Sequence, residues 1–230
     1  MSAALAAPAA ADEALEHASA GTVLRWAARE LAPGRAAVVS AFGPGSIVLF
    51  DLLRESGISL PVVFIDTLHH FPETLELVER VRERYDLDLR VHRPAESREA
   101  FEAWYGPRLW ERDLELYQQV TKVEPFRAAT AELDGWITGR RRDQAYTRRQ
   151  LPVVERGDRV RVNPLAGWTR AEVWGYIVRN GLPYNPLHDL GYGSIGDEPL
   201  TTPVGAGEHE RAGRWRGTGK LECGIHVGQL

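Results

Sequence analysis

Residues 36–66 read AAVVSAFGPGSIVLFDLLRESGISLPVVFID, and this stretch decides the fold. Its first five residues, AAVVS, are a short apolar run of the kind a buried strand needs. The turn-forming segment Phe42-Gly43-Pro44-Gly45-Ser46 follows, and residues 46–55 then carry apolar side chains at helical spacing. Residues 61–65, PVVFI, are a second β-branched run, ending in Asp66-Thr67. Pro72 opens a helix through residue 85, with Glu73 in its first turn and arginines towards its end, the charge order that suits a helix dipole. Residues 87–92, LDLRVH, alternate as a third strand. Strand, helix, strand, helix, strand at this pitch predicts a parallel sheet with helices on its faces.

Further along, residues 97–117 are predicted helical, with Trp104, Tyr105, Trp110 and Tyr117 as a packing stripe. A helix is expected over 128–133, a buried strand over 135–139 (GWITG) and another strand over 160–162. A helix over 168–180 is opened by the capping box Thr169-Arg170-Ala171-Glu172 and closed by Gly181. From there to Gly219 the chain is rich in Gly, Pro and polar residues, without a period. The organisation expected is an Ala-rich tail or helix over 1–20, one doubly wound α/β domain over 21–190 and a mobile C-terminal arm over 191–230.

The chain has 230 residues, 43% hydrophobic and 26% charged, as in a soluble globular domain with a proper core. A net charge of -4 gives no global attraction to nucleic acid or membrane, so an anion site has to come from local clustering of Arg and Lys. No apolar run approaches the ~20 residues that span a bilayer. The first twenty residues carry Asp12, Glu13 and Glu16 and lack a basic start, unlike a secretory leader. Cys223 is the single cysteine of the sequence. One thiol makes no internal disulfide, iron–sulfur cluster or Cys-rich zinc site, and it suits a reducing cytoplasm.

Three segments carry candidate chemistry. Residues 40–46 put glycines and hydroxyls before a helix N-terminus, which either holds a phosphate or is an ordinary turn. Asp66 and Thr67 end the next strand at the edge where doubly wound sheets bind ligands, although Asp66 equally suits a helix cap. Arg140, Arg141 and Arg142 follow a buried strand directly, with Arg148 and Arg149 close behind: a solvated face or an anion site. Lys122, in Lys122-Val123-Glu124-Pro125, reads alone as a surface lysine. In the tail, Cys223 is followed by His226, with Arg211, Arg214 and Lys220 within reach to favour its thiolate. A Gly-flanked cysteine in a polar segment is poorly suited to a core.

Together these motifs resemble the phosphoadenosine-phosphosulfate and adenosine-phosphosulfate reductases of assimilatory sulfate reduction. The matching residues are Asp66-Thr67 with Phe71-Pro72-Glu73-Thr74, Lys122-Val123-Glu124-Pro125, Gly139 with Arg141-Arg142-Asp143-Gln144, and Glu222-Cys223-Gly224-Ile225-His226. The resemblance implies a sheet of the adenine nucleotide α-hydrolase (ATP pyrophosphatase-like) type. It implies that Cys223 attacks the sulfate sulfur to give an S-sulfocysteine, and that a thioredoxin or glutaredoxin thiol then releases sulfite. By matching positions, Lys122, Arg211, Arg214 and His226 contact the phosphosulfate. Ser40, Phe42 and Gly43 lie against the nucleotide with Asp66 and Thr67, and Arg141 and Arg142 support the pocket. A second copy of the chain is a candidate partner.

Cluster-bearing members of the family carry cysteine pairs where this chain has Tyr117, Gln118, Asp197 and Leu200. The resemblance therefore implies a cluster-free enzyme for the 3′-phosphorylated substrate, with the unphosphorylated adenylyl sulfate as the alternative. A cation for the 3′-phosphate is sought at Arg148 or Arg149. A nucleotide-activating enzyme of the ATP pyrophosphatase class is the competing reading. The loop Phe42-Gly43-Pro44-Gly45 lacks the Lys and Asp of that class, and such an enzyme leaves Cys223 unexplained.

Overall fold

The computed structural model describes residues 9–31, 34–220, 222 and 224–225. A six-stranded sheet forms its centre. Five strands are parallel: β1 (Ala36–Val39), β2 (Val62–Ile65), β3 (Leu89–His92), β4 (Gly135–Ile137) and β6 (Val160–Val162). The sixth, β5 (Val154–Glu155), runs antiparallel along one edge. The order β3-β2-β1-β4-β6-β5 means that connections move one way from β1 and the other way from β4. The crevice between those two strands, at their carboxyl ends, is where such sheets bind ligands.

Strand alternation sorts the side chains into two cores. Val38, Val62 and Phe64 join one cluster with α2 (Ala20–Glu30), α3 (Pro44–Glu55), α4 (Pro72–Tyr85) and α9 (Arg170–Arg179). Ala37, Val63 and Ile65 point the other way, against Phe126 of α8 (Glu124–Thr130) and Trp136. Helices therefore cover both faces, as expected of a doubly wound sheet. Thr169 and Glu172 cap α9 reciprocally, and Gly181 takes the left-handed φ of +56° just past its end. Among the described residues, no helix is long and apolar enough to cross a membrane.

Three local expectations change. The aromatic segment 97–117 is not one helix but three pieces: α5 (Arg98–Tyr105), α6 (Leu109–Arg112) and α7 (Leu114–Gln118). Gly106 and Arg108 both adopt positive φ, and Asp113 caps the third piece through Leu116 N–H at 2.9 Å. The helix expected over 128–133 starts four residues earlier, at Glu124, with Pro125 in its first turn, and ends at Thr130. Strand β5 has only two residues and no periodic signal to betray it. At the amino end, α1 (Ala9–Glu16) lies against the domain: Asp12 pairs with Arg156 at 2.7 Å, and Glu16 accepts from Val153 N–H at 2.7 Å.

Among its described residues the segment after α9 holds the short 3₁₀ turns Pro186–Leu190 and Glu198–Leu200 and isolated β-bridges, yet it folds back over the carboxyl edge of the sheet. Asp197, Thr201 and Trp215 are buried. Trp215 N–H bonds to Leu200 O at 2.9 Å, and Thr202 N–H to Gly213 O at 2.9 Å. A Cβ at Gly213 would lie 1.9 Å from Thr202 O, so only glycine lets these strands of backbone meet.

Candidate active site

A cavity of about 240 Å³ opens at the switch point between β1 and β4. Its floor is the loop from β1 into α3 and the loop after β4. These loops touch back to back: a Cβ on Gly45 would sit 2.4 Å from Gly139 O, and one on Gly139 would sit 2.7 Å from Gly45 C. No side chain caps α3, whose first turn lines the cavity, so its N-terminal dipole is offered to a ligand. Ser40 spends its hydroxyl on the turn itself, accepting from Phe42 N–H at 2.9 Å. Phe42 has φ +54°, and its ring is sunk against Phe50 and Phe64, each 5.4 Å away. The aromatic core thus holds a strained backbone in the shape the cavity needs.

Opposite this floor, a buried polar network joins the arm to the domain. Asp197 is 1% exposed and accepts from Thr67 Oγ1 at 2.9 Å and Tyr117 Oη at 3.0 Å, while Lys122 Nζ stands 2.6 Å from it. Burial pushes the Asp197 carboxyl up, but Lys122, and behind it His70 and Arg214, pull harder and hold it well below the usual carboxylate range. Burial also drives the Tyr117 hydroxyl up, so it stays a donor. Lys122 belongs to a π-helical turn, Gln119–Val123, wedged between α7 and α8. Such bulges turn a side chain away from the regular helical spacing and recur at functional sites.

Tyr117, Gln118, Asp197 and Leu200, the positions matched to cluster cysteines, come together here. Leu200 packs on the aromatic cluster that contains Tyr117. Gln118 is 2% exposed, and its amide has no hydrogen-bond partner among the described residues. Among those residues, no group of three or more His, Cys, Asp or Glu is arranged to hold a metal ion.

Six cationic side chains line the cavity, Lys122, Arg140, Arg141, Arg148, Arg211 and Arg214, against two carboxylates, Asp197 and Glu210. A local excess of positive charge therefore sits in a chain of net charge -4. Arg140 is locked beneath the site by Thr138, Asn163 and Glu155. Arg141 holds Asp143 at 2.9 Å and stands 3.4 Å from Glu210. Burial pushes the Glu210 carboxyl up, partly offset by Arg141. Arg211 and Arg214 lie over the ring of buried Trp215, at 5.4 and 4.5 Å from its centroid.

The structure brings Ser40, Phe42, Gly43, Thr67, Lys122, Arg141, Arg211 and Arg214 to one cavity. Two other candidates are not among its lining residues. Asp66 braces its own loop, accepting from Leu68 N–H at 3.0 Å and Arg93 Nε at 2.7 Å. Arg142 turns away to hold Leu151 O at 2.8 Å and to pair with Glu16. Arg148 lines the cavity and grips Glu222, whereas Arg149 is exposed and stacks over Tyr146 at 4.6 Å. Cys223 and His226 lie outside the described residues. Their neighbours do not: Glu222 pairs with two cavity arginines, and Ile225 lines the cavity. Sequence reasoning gave no role to Trp215, or to Glu210 and Glu222, whose partners Arg141 and Arg148 are distant in the chain. It matched Asp197 to a cluster cysteine and gave it no partner.

The family model of the phosphoadenosine phosphosulfate reductase domain matches residues 35–203, which holds the whole sheet and the cavity floor but stops short of Glu210, Arg211, Arg214 and Glu222. The chain belongs to the phosphoadenosine phosphosulfate reductase family. A relative in Emericella nidulans, named phosphoadenosine phosphosulfate reductase, is 44% identical over 215 residues, covering 89% of this chain and 70% of its own. One in Halalkalibacterium halodurans, named adenosine 5′-phosphosulfate reductase, is 42% identical over 219 residues, covering 94% of each. Within the same family, the crystal structure of phosphoadenylyl-sulfate reductase from Candida auris superposes with a TM-score of 0.77 at 36% identity, over 88% of this chain and 100% of that one. FMN adenylyltransferase from Candida glabrata shares the fold alone, with a TM-score of 0.59 at 21% identity over 86% of this chain and 69% of that one. The sheet type expected from the sequence is thus the one found.

Proposed function

We propose that this chain reduces 3′-phosphoadenylyl sulfate to sulfite and adenosine 3′,5′-bisphosphate, with electrons from a dithiol carrier of the thioredoxin or glutaredoxin type, in the cytoplasm. The observation that carries this reading is a cation-lined cavity at the sheet's switch point, flanked by Glu222 and Ile225 on either side of the lone cysteine. The loop of Ser40, Phe42 and Gly43 receives the nucleotide at the uncapped end of α3. Lys122, Arg211 and Arg214 draw charge from the phosphosulfate, a role His226 is proposed to share, so that an anionic thiolate is able to approach an anionic centre.

In the first half-reaction the Cys223 thiolate attacks sulfur. An S–S bond forms, the S–O bond breaks, and the nucleotide phosphate leaves with that electron pair, stabilised by the same cations. In the second, a carrier thiolate attacks Cys223 Sγ, and sulfite departs with the electrons of the broken S–S bond. The carrier's other thiol then attacks the mixed disulfide, returning Cys223 as thiolate and leaving the carrier as disulfide. Opening of the 191–230 segment between the halves admits the carrier.

One observation favours the unphosphorylated substrate instead. Glu210 is a cavity carboxylate beside Arg141 and opposes an extra phosphate there; the Halalkalibacterium relative carries the corresponding name. Sulfite release from each sulfonucleotide, with carrier and reductant, separates the two readings. The proposal expects preference for the 3′-phosphorylated substrate and no sulfite from Cys223→Ser. Preference for the other substrate overturns the choice of nucleotide, and sulfite from Cys223→Ser overturns the mechanism.

A further inference from the structure

Glu222 is an anomaly in a site built for anions. It adds negative charge beside a nucleophile that must be a thiolate and near a substrate that carries several negative charges. It is 9% exposed, and it is not among the residues that line the cavity. Its carboxylate is nevertheless gripped on both oxygens. Arg148 donates from Nε to Oε1 at 2.8 Å and from Nη2 to Oε2 at 2.6 Å, the fork geometry that guanidinium offers a carboxylate. Thr147 Oγ1 adds a bond to Oε1 at 3.0 Å, and Arg211 Nη2 one to Oε2 at 3.2 Å. Arg148 is itself buried and pinned from behind, its Nη1 donating to Gln144 Oε1 at 2.8 Å, and that oxygen also accepts Arg141 N–H at 3.0 Å.

On the other side of Cys223 the backbone is equally constrained. A Cβ on Gly224 would meet Val123 of the π-helical turn at 3.0 Å, and Ile225 packs against the core under β1 and β2. In the sequence Cys223 stands directly between Glu222 and Gly224, so the chain is held on both sides of it.

We propose that Glu222 is the docking residue of the nucleophile-bearing segment, and that the Arg148 fork, with Thr147, sets the position of Cys223 against the cavity. This rests on the reductase reading only for its purpose. The contact is a positioning one and takes no part in bond making. It places a charge at an electrostatic cost to the thiolate in return for a bidentate, directional anchor one residue from the reacting sulfur.

The lone cysteine makes alkylation by iodoacetamide, followed across pH, a direct readout in the full-length protein. Glu222→Gln removes a negative charge and Arg148→Gln a positive one, so a purely electrostatic role moves the thiol pKa in opposite directions and leaves the high-pH limiting rate alone. Docking predicts that both variants raise that limiting rate, by about tenfold for the loss of a charge-assisted pair, with the double variant no higher than the faster single. Exposed Thr147→Ala, which changes no charge and endangers no core, is expected to raise it about threefold. Limiting rates unchanged in all three variants overturn the proposal. That outcome with normal sulfite release leaves the reductase reading intact, whereas raised rates in a protein that forms no sulfite leave the docking contact standing and remove the reductase reading.

Discussion

Asp197 concentrates the residue-scale logic of the site. It is a buried carboxylate with three donors, and the donors belong to three separate parts of the chain: Thr67 after β2, Tyr117 in α7 and Lys122 in the π-helical turn. Changing it to Asn leaves the Lys122 ammonium buried without its counter-charge, at a cost of about 3–5 kcal/mol. The sign with pH follows from its lowered carboxyl. The ionised form contributes stability that is complete above the ordinary value of 3.8 and fades as the pH falls through the lower folded-state value. Urea unfolding is therefore expected to give a wild-type advantage over Asp197→Asn that is constant at neutral pH and shrinks in strong acid. A constant difference down to the most acid point at which both fold contradicts the assignment. Little of this was legible in the sequence. Lys122 on its own looks like a surface lysine, and only the fold brings Asp197 to it. Asp66 and Arg142 make the same point in reverse, since matching motifs named them while their side chains serve Arg93, Leu151 and Glu16.

At the scale of elements, legibility tracks periodicity. Strands β1, β2, β3, β4 and β6 and helices α3, α4 and α9 follow from alternating or helical spacing and from strong caps, because each is stabilised largely by its own apolar face. The 97–117 segment does not, because its breaks come from backbone conformation at Gly106 and Arg108 and from the cap at Asp113, which hydrophobic spacing does not encode. Strand β5 is defined by pairing with β6 and has no face of its own. The folding of the last segment over the sheet was illegible for a related reason: it is shaped internally by backbone approaches at Gly193 and Gly213, and joined to the domain by side chains such as Asp197 and Glu210 whose partners are far away in sequence. The loop pair at the cavity floor gives the element-scale prediction. A methyl group at Gly139 meets Gly45 C at 2.7 Å and Ser46 N at 2.8 Å, backbone atoms at the start of α3 that have nowhere to go. Gly139→Ala is expected to cost about 1–3 kcal/mol in thermal or urea unfolding and to weaken nucleotide binding, because the shift falls on the helix end to which the proposal assigns the nucleotide. Unchanged stability and binding contradict the close-packed loop pair.

The whole molecule is a net-negative chain that nevertheless brings six cationic side chains to one cavity. The doubly wound sheet opens a crevice where strand order reverses, the arginine-rich loop after β4 and the π-helical turn supply cations from two sides, and the C-terminal segment brings Arg211, Arg214 and the residues flanking Cys223 over the top. Each contribution is modest alone. Together they create the environment that the proposed reaction between two anions requires. The account stands or falls on a sulfur–sulfur bond at Cys223. Full-length protein mixed with the sulfonucleotide in the absence of any reductant, then measured by intact-mass spectrometry with peptide mapping, tests it most directly. The expected result is one added SO₃ group on Cys223, formed as nucleotide is released and lost as sulfite when a dithiol is added. Sulfite release on adding dithiol, with Cys223 never modified, contradicts it.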